Sequence, residues 1–231
     1  MTAWATTFLP NRLQDHLRYV RFLARAWSGH FSPGEPEAEM LPGCVRDGDW
    51  VIDVGANVGQ YALLLSRLVG PSGRVVAIEP MSATVATLAS VAKLAPSPNI
   101  SILNVAASDS AGTVSFDLPR DEAGLRRPEM ARISPQGQIP VLAIAIDALR
   151  LPHRIALAKI DTEGHELAVL RGMRTILERD HPLLIVEDGD PSVALFLKGF
   201  GYDSRKTCAT SPNVVYYHGS GPELTGLRGS E

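Results

Sequence analysis

Three short runs of residues have the types and spacing to handle a charged small molecule. The first is Asp53-x-Gly55-Ala56-Asn57-x-Gly59, at the end of an apolar run. Gly55 and Gly59 carry no Cβ, so the backbone there can turn tightly and lie against a ligand. Asn57 stands where many such loops have glycine, and asparagine tolerates the left-handed region. The second is Glu79-Pro80, which closes the next apolar run. The third is Lys159-x-Asp161-x-Glu163-Gly-His165-Glu166, again following a strand-like stretch. Acids after strands, a glycine turn and a histidine beside carboxylates are the means for binding a cation and moving a proton.

The chemistry of the first two runs is specific. A pyrophosphate-binding turn reads G-x-G-x-x-G and sets the anion on a helix N-terminus. Here the spacing is G-x-N-x-G, with Asp53 two residues before the first glycine. A carboxylate at that point repels a pyrophosphate and suits the amino and sulfonium cations of S-adenosylmethionine (SAM). Glu79 is placed to accept hydrogen bonds from two ribose hydroxyls. The pair of runs favours SAM over a nicotinamide dinucleotide. The plain alternative is an α/β turn without a ligand.

In the third run, Asp161 ends a strand at the carboxyl edge of the sheet, where open α/β folds bind ligands. It is expected to face the donor's amino group or the acceptor. Glu163 and Glu166 follow at a helix start, where the helix dipole alone would account for acids. His165 titrates near working pH and could serve as general base, or could simply be a surface residue at the helix start. Lys159 and Asp161 alternate onto the same side of the strand, which predicts an ion pair rather than a free lysine base.

These runs need elements to hold them. Strands are expected at 50–54, 74–78, 100–103, 155–160 and 183–186, with helices at 58–69, 82–94 (Ser82 as N-cap), from the third run to about 178, and at 191–198. Alternation of this kind argues a parallel sheet with crossover helices. Closing strands at 202–205 and 213–218 add an antiparallel end. Residues 113–118 and 140–146 read as a hairpin arm around the charged, Pro- and Gly-rich loop 119–138. Its Arg120, Arg126, Arg127 and Arg132 could grip phosphate or carboxylate as a lid, or be solvated. Residues 11–27 read as a helix with Leu13, Leu17, Val20, Ala24 and Trp27 on one face. It is either a surface helix packed on the main domain or a lid or dimer element.

Composition sets limits. The 231 residues suffice for one sizeable core. With 45% apolar and 20% charged residues the chain reads as an ordinary globule. A net charge of −3 and 6% aromatics argue against a nucleic-acid partner. Cys44 and Cys208 are too few for a disulfide framework or zinc site, which suggests a reduced, cytoplasmic protein. No apolar run approaches membrane-spanning length.

Taken in order, Asp53-x-Gly-Ala-Asn-x-Gly59, Glu79-Pro80, the Lys159–Glu166 box and the strand ending at Glu187 resemble the FkbM family of SAM-dependent methyltransferases, over roughly residues 45–218. The resemblance implies a class I methyltransferase fold: a Rossmann-like, mostly parallel sheet with an antiparallel C-terminal strand, an N-terminal helical extension and a β-hairpin arm. It implies methyl transfer, mostly to hydroxyl oxygens of sugars, polyketides and other secondary metabolites or glycans. The expected division is 1–44 as extension or lid, 45–218 as SAM-binding domain and 219–231 as a flexible tail. Cofactor contacts are expected from Asp53, Gly55, Ala56, Asn57, Gly59, Glu79, Pro80, Ala106, Ala107 and Asp161. Catalytic candidates are Asp161, His165, Glu163 and Lys159. The box does not demand a metal, and none is expected. The partner is a small hydroxylated molecule, with no membrane and no nucleic acid; a homodimer is left open. N-methylation on the same scaffold, or a non-catalytic SAM-binding partner protein, are the competing readings.

Overall fold

A computed structural model describes residues 11–28, 31–120, 126–187, 190–207 and 210–219. Its centre is a seven-stranded sheet. The strands are β1 (Trp50–Val54), β2 (Arg74–Ile78), β3 (Ile100–Leu103), β8 (Ile155–Ile160), β9 (Leu183–Glu187), β10 (Ser204–Thr207) and β11 (Asn213–Tyr217), in the order β10-β11-β9-β8-β1-β2-β3. All neighbours from β9 to β3 run parallel, whereas β11 pairs antiparallel with both β9 and β10. The strands are near-continuous apolar runs because both faces are covered. Alternation sends Val51, Val75 and Leu157 toward α3 (Gln60–Val69) and α4 (Ser82–Ala92). Ile52, Val76 and Ala158 go to the opposite layer, with α5 (Glu166–Arg171), α6 (Arg174–Asp180) and α7 (Pro191–Lys198). This is the class I SAM-dependent methyltransferase architecture.

The arm is larger than a hairpin. Strand β5 (Gly112–Asp117) pairs antiparallel with β7 (Ile139–Ile144) as expected, but β4 (Ala106–Ala107) joins β7 in parallel and β6 (Arg132–Ile133) joins β5. A second, four-stranded sheet results, with its own small core of Met81, Ala106, Phe116 and Ala143. Strands of two residues carry too little pattern to be read from sequence. Part of the 119–138 loop, residues 121–125, lies outside the described residues, as does the tail from 220.

Three helices depart from expectation. Helix α4 takes Met81, not Ser82, as N-cap, because the Ser82 hydroxyl donates instead to Asn104 Oδ1 at 2.8 Å. The single helix expected after the box is two, α5 and α6, broken at Gly172–Met173. Gly172 lies so close to the Ser108 carbonyl that a Cβ would collide. Asp147 then caps the new helix, accepting from the Thr175 and Ile176 amides at 2.8 and 3.2 Å. Helix α1 (Asn11–Trp27) is rotated from the expected stripe. Phe22, Leu23 and Ala26 pack against Phe31, Val58, Leu63 and Val91, while Leu17, Val20 and Trp27 are exposed. The helix is apolar on more than one side, so periodicity alone cannot choose the buried face. After it, residues Pro36–Met40 form a 3₁₀ turn that leads into the short α2 (Leu41–Cys44).

Asn99 ties α3 to the entry of β3. Buried at 2% exposure, it donates to the carbonyls of Ser66 and Gly70 at 2.9 and 2.7 Å and accepts from the Ser66 hydroxyl at 2.6 Å. Asn99→Ala removes all three bonds and leaves buried partners, at a cost of about 2–3 kcal/mol. Urea unfolding reads this directly; a loss below about 1 kcal/mol would mean that water replaces the amide.

Candidate active site

The parallel register of β1 and β8 sets the floor of the site. It pairs Asp53 with Lys159 and Val54 with Ile160. One step further, the Asp161 amide donates to the Val54 carbonyl at 3.1 Å. The chain of β1 then turns across the end of β8. Gly55 has φ +73°, and any Cβ on it would run into the backbone carbonyl of Asp161. The turn therefore requires glycine on two counts, conformation and contact. Asn57 sits in the left-handed region at φ 49°, as its type foretells.

Glu79 fastens this turn to the next strand. Its Oε2 accepts from the Asn57 amide at 3.0 Å and its Oε1 from the Met81 amide at 2.8 Å. Burial pushes its carboxyl up to about 7, against the opposing effect of those two amides. Each oxygen keeps a further lone pair for a ligand hydroxyl.

A cleft opens at this carboxyl edge. Gly55, Asn57, Glu79, Pro80, Ala106, Ala107 and Asp161 line it, together with Glu163 and His165. Ala56, Gly59, Asp53 and Lys159, also singled out from sequence, are not on its walls. Ala56 and Gly59 shape the turn behind it; Gly59, at φ +94°, leaves room for Leu88. Asp53 is fully buried. It lies beneath the floor, beside Lys159, with both oxygens lacking a hydrogen-bond partner among the described residues. Burial raises its carboxyl to about 6, with the Lys159 ammonium working the other way.

Lys159 is 3% exposed. Its Nζ forms the expected ion pair with Asp161 Oδ2 at 2.7 Å and lies 4.8 Å from the centre of the Tyr61 ring. Burial alone would lower its pKa, but Asp161 and Asp53 turn the shift upward. Asp161 shows the reverse balance: burial opposes ionisation, and Lys159 overcomes it, so its carboxyl is held below the usual range. Asp161 also shares a hydrogen bond with Glu187, which sits at the end of the adjacent strand. Burial and the Asp161 charge push Glu187 up to about 8. Two charges so close are unfavourable together, so the pair resists losing its last proton.

The rest of the box divides between structure and chemistry. One oxygen of Glu166 accepts from the Thr162 amide, the Thr162 hydroxyl and the Gly164 amide, each at 3.0 Å. Glu166 is thereby the clamp of the loop. That clamp lets Glu163 adopt φ 55° and Gly164 φ 97°. His165 stands at the head of α5, its Nε2 2.9 Å from the Ser108 hydroxyl. Burial lowers its pKa, with Asp109 and Glu166 opposing. It is mainly neutral at pH 7.

Several lining residues escape sequence reasoning. Phe116, Pro128, Ala131 and Ile133 come from the arm, Glu35 from the segment before the 3₁₀ turn, and Pro212 and Asn213 from the approach to β11. Glu187 was visible only as a strand end. Ser108 carried no signal at all, since its role depends on a residue 57 positions away.

A donor half and an acid-lined half sharing one cleft at the strand ends define the site of a class I SAM-dependent methyltransferase. The chain belongs to the FkbM methyltransferase family: the methyltransferase FkbM domain matches residues 53–204. It is similar to the hexuronic acid methyltransferase AglP of Haloferax volcanii, with 30% identity over 136 residues, covering 58% of this chain and 53% of that protein. The chain thus spans about half the length of this curated relative. In fold it is similar to methyltransferase FkbM from Methylobacillus flagellatus KT (18% identity, TM-score 0.57, 80% of this chain and 48% of that one). It is also similar to a putative rRNA methylase from Clostridium thermocellum (13% identity, TM-score 0.52, 80% and 94%). SAM is the cofactor, and the residues present fit it. Gly55 leaves the backbone bare where a Cβ would fill the turn, and Glu79 keeps lone pairs at the cleft. Among the described residues, no group of three or more His, Cys, Asp or Glu could hold a metal ion. No helix there is long and apolar enough to cross a membrane.

The raised carboxyls make stability depend on pH. Glu79 and Glu187 keep protons in the folded state at pH values where the unfolded chain has lost them, so folding takes up protons. Stability of the ligand-free protein should fall as pH rises from about 5 to 8. Glu187→Gln imitates the protonated side chain and should flatten part of that slope in thermal melts. An unchanged slope would mean that Glu187 is ionised in the native protein.

Proposed function

We propose that this protein transfers a methyl group from SAM to a hydroxyl oxygen of a small molecule, with a sugar hydroxyl as the first candidate. The observation that carries the reading is the grouping of Asp161, paired with Lys159, with Glu187 and His165 on the lining of one cleft. An alcohol is a weak nucleophile whose proton must leave during or soon after attack. A positioned base typically contributes on the order of 10²–10⁴-fold. The sugar class draws its support from the hexuronic acid methyltransferase relative.

When bound, SAM supplies a methyl carbon made electrophilic by its sulfonium. Glu79 would hold the ribose hydroxyls, and the backbone of Gly55 and Asn57 would lie along the methionine part. The arm residues Phe116, Pro128, Ala131 and Ile133 give the opposite wall an apolar surface that excludes water from the acceptor. His165, neutral and braced by Ser108, accepts the hydroxyl proton. Asp161 orients the same hydroxyl, or takes the proton itself. Lys159 stays behind Asp161 and keeps it ionised; buried in an ion pair, it is a positioning residue and not a base. Glu35, from the segment before the sheet, adds an acid to the lining, and the partner is a small hydroxylated molecule.

The test is methyl transfer from SAM to a panel of hydroxylated sugars that includes hexuronic acids, with the methylated atom located by NMR. Transfer to nitrogen alone would overturn the reading. In single-turnover kinetics, His165→Ala should slow the chemical step on the order of 10²-fold or more while SAM affinity stays within a few fold. Full activity of that variant at every pH would leave the histidine structural and pass the proton to Asp161.

A further inference from the structure

Four carboxylates gather around the inner end of the cleft: Asp53 and Asp161 from the strands, and Glu35 and Glu37 from the segment before the sheet. Glu35, Asp53 and Asp161 all act on the Lys159 ammonium, and Glu35, Glu37, Asp53 and Asp161 all act on the Tyr61 hydroxyl. Lys159 answers only Asp161 by direct contact. Three carboxylates are thus left without a counter-charge in contact. Two of these are sealed in: Glu37 is 1% exposed and Asp53 fully buried. Glu37 Oε1 is taken by the Ser211 hydroxyl and the Asn213 amide, while its Oε2 and both Asp53 oxygens have no partner among the described residues. Glu35 differs from both. It is half-buried and lines the cleft together with Asp161 and Asn213. No described side chain bonds to its carboxylate.

We propose that Glu35 is the residue that receives the ammonium of the donor's methionine portion. The inference rests on the SAM reading of the cleft and extends it. With the ribose on Glu79, the methionine portion runs away from Pro80 and toward the end of β8, where this excess of negative charge lies. Asp53, the acid expected from sequence to meet that cation, is shut beneath the floor. Asp161 is committed to Lys159 and Glu187. Of the two wall carboxylates that remain, Glu163 lies toward Glu166 and Arg132, whereas Glu35 lies toward Lys159 and Tyr61. Its place is fixed from behind, because the bonds from Glu37 to Ser211 and Asn213 fasten the 3₁₀ turn to the start of β11. A cation brought into a partly enclosed, electronegative pocket is bound more strongly than the same pair in water.

The experiment compares two ligands by calorimetry on the intact protein. S-adenosylhomocysteine carries the ammonium; 5′-methylthioadenosine has the same nucleoside and sulfur but no amino-acid portion. Glu35→Gln should weaken S-adenosylhomocysteine about tenfold, the equivalent of one lost charged hydrogen bond, and leave 5′-methylthioadenosine within about twofold. Glu35→Asp, which keeps the charge on a shorter arm, should fall between. Unchanged affinity for S-adenosylhomocysteine would overturn the assignment. So would an equal loss for both ligands, which would make Glu35 a shaper of the cleft. If the unaltered protein bound neither ligand, the SAM reading itself would fall, and the assignment with it.

Discussion

One buried ammonium organises the site. Lys159 reaches it from a central strand, one residue before its end, with almost no access to water, and an ion in that position is costly unless it is paired. Its partner, Asp161, is the residue at which the strand ends and the cleft begins. The pair does more than neutralise itself. By keeping Asp161 ionised, Lys159 makes a second charge on Glu187 unfavourable, which raises the Glu187 carboxyl. By standing beside Asp53 across the strands, it tempers a fully buried acid. The charge pattern of the wall follows from a cation that does not line the cleft.

The backbone places that pair as firmly as the charges do. Gly55 packs against the Asp161 carbonyl, and the Asp161 amide bonds to Val54, so the turn after β1 and the end of β8 are fixed to one another. Glu79 joins the same turn to the entry of α4 through two amide bonds. A displacement of any one of these three strand ends would disturb the other two. Two neighbouring groups show the same economy. Glu166 closes the loop that presents His165, and Ser108 lies against both the imidazole and the Gly172 break between α5 and α6.

The sequence makes the sheet edge legible because the signals there are local. Apolar strands ending in Asp53, Glu79 and Asp161, a glycine turn and a lysine two residues before an acid are each contained in a few neighbouring positions. Lys159 and Asp161 fall on one side by strand alternation alone, and the ion pair is present. What could not be read depends on distant partners. Asp53 has the type expected of a ligand contact, yet only the α3 layer over its strand shows that it is covered. Ser108, Glu35 and Asn213 sit in stretches with no periodic pattern; they join the site because β4, the pre-sheet segment and β11 are brought to the same edge. The face of α1 failed for a related reason, since a helix apolar on two sides is oriented by what it packs on. The two-residue strands β4 and β6 are too short to carry any alternation.

The cleft is closed by the two parts of the chain that do not belong to the main sheet, and they differ in chemistry. The small sheet offers Phe116, Ala131 and Ile133, an apolar wall that can exclude water and discriminate by shape. The pre-sheet segment offers carboxylates, fastened to β11 by Glu37. In the orientation proposed above, a cofactor with an adenosine at one end and an amino acid at the other would be uncharged toward Pro80 and cationic toward Lys159. The polarity of the cleft matches that order. On the proposed function, the acceptor would take the space between the arm and the Asp161 and His165 side chains, lined by apolar residues from the one and titratable groups from the other. A hydroxylated ring presents the same two aspects, with carbon faces to lie on the arm and hydroxyl edges to meet the acids. Under that proposal, selection among such rings would fall to the arm, whose residues come from outside the glycine turn and the acid box, while those two motifs would set only where the methyl group is delivered.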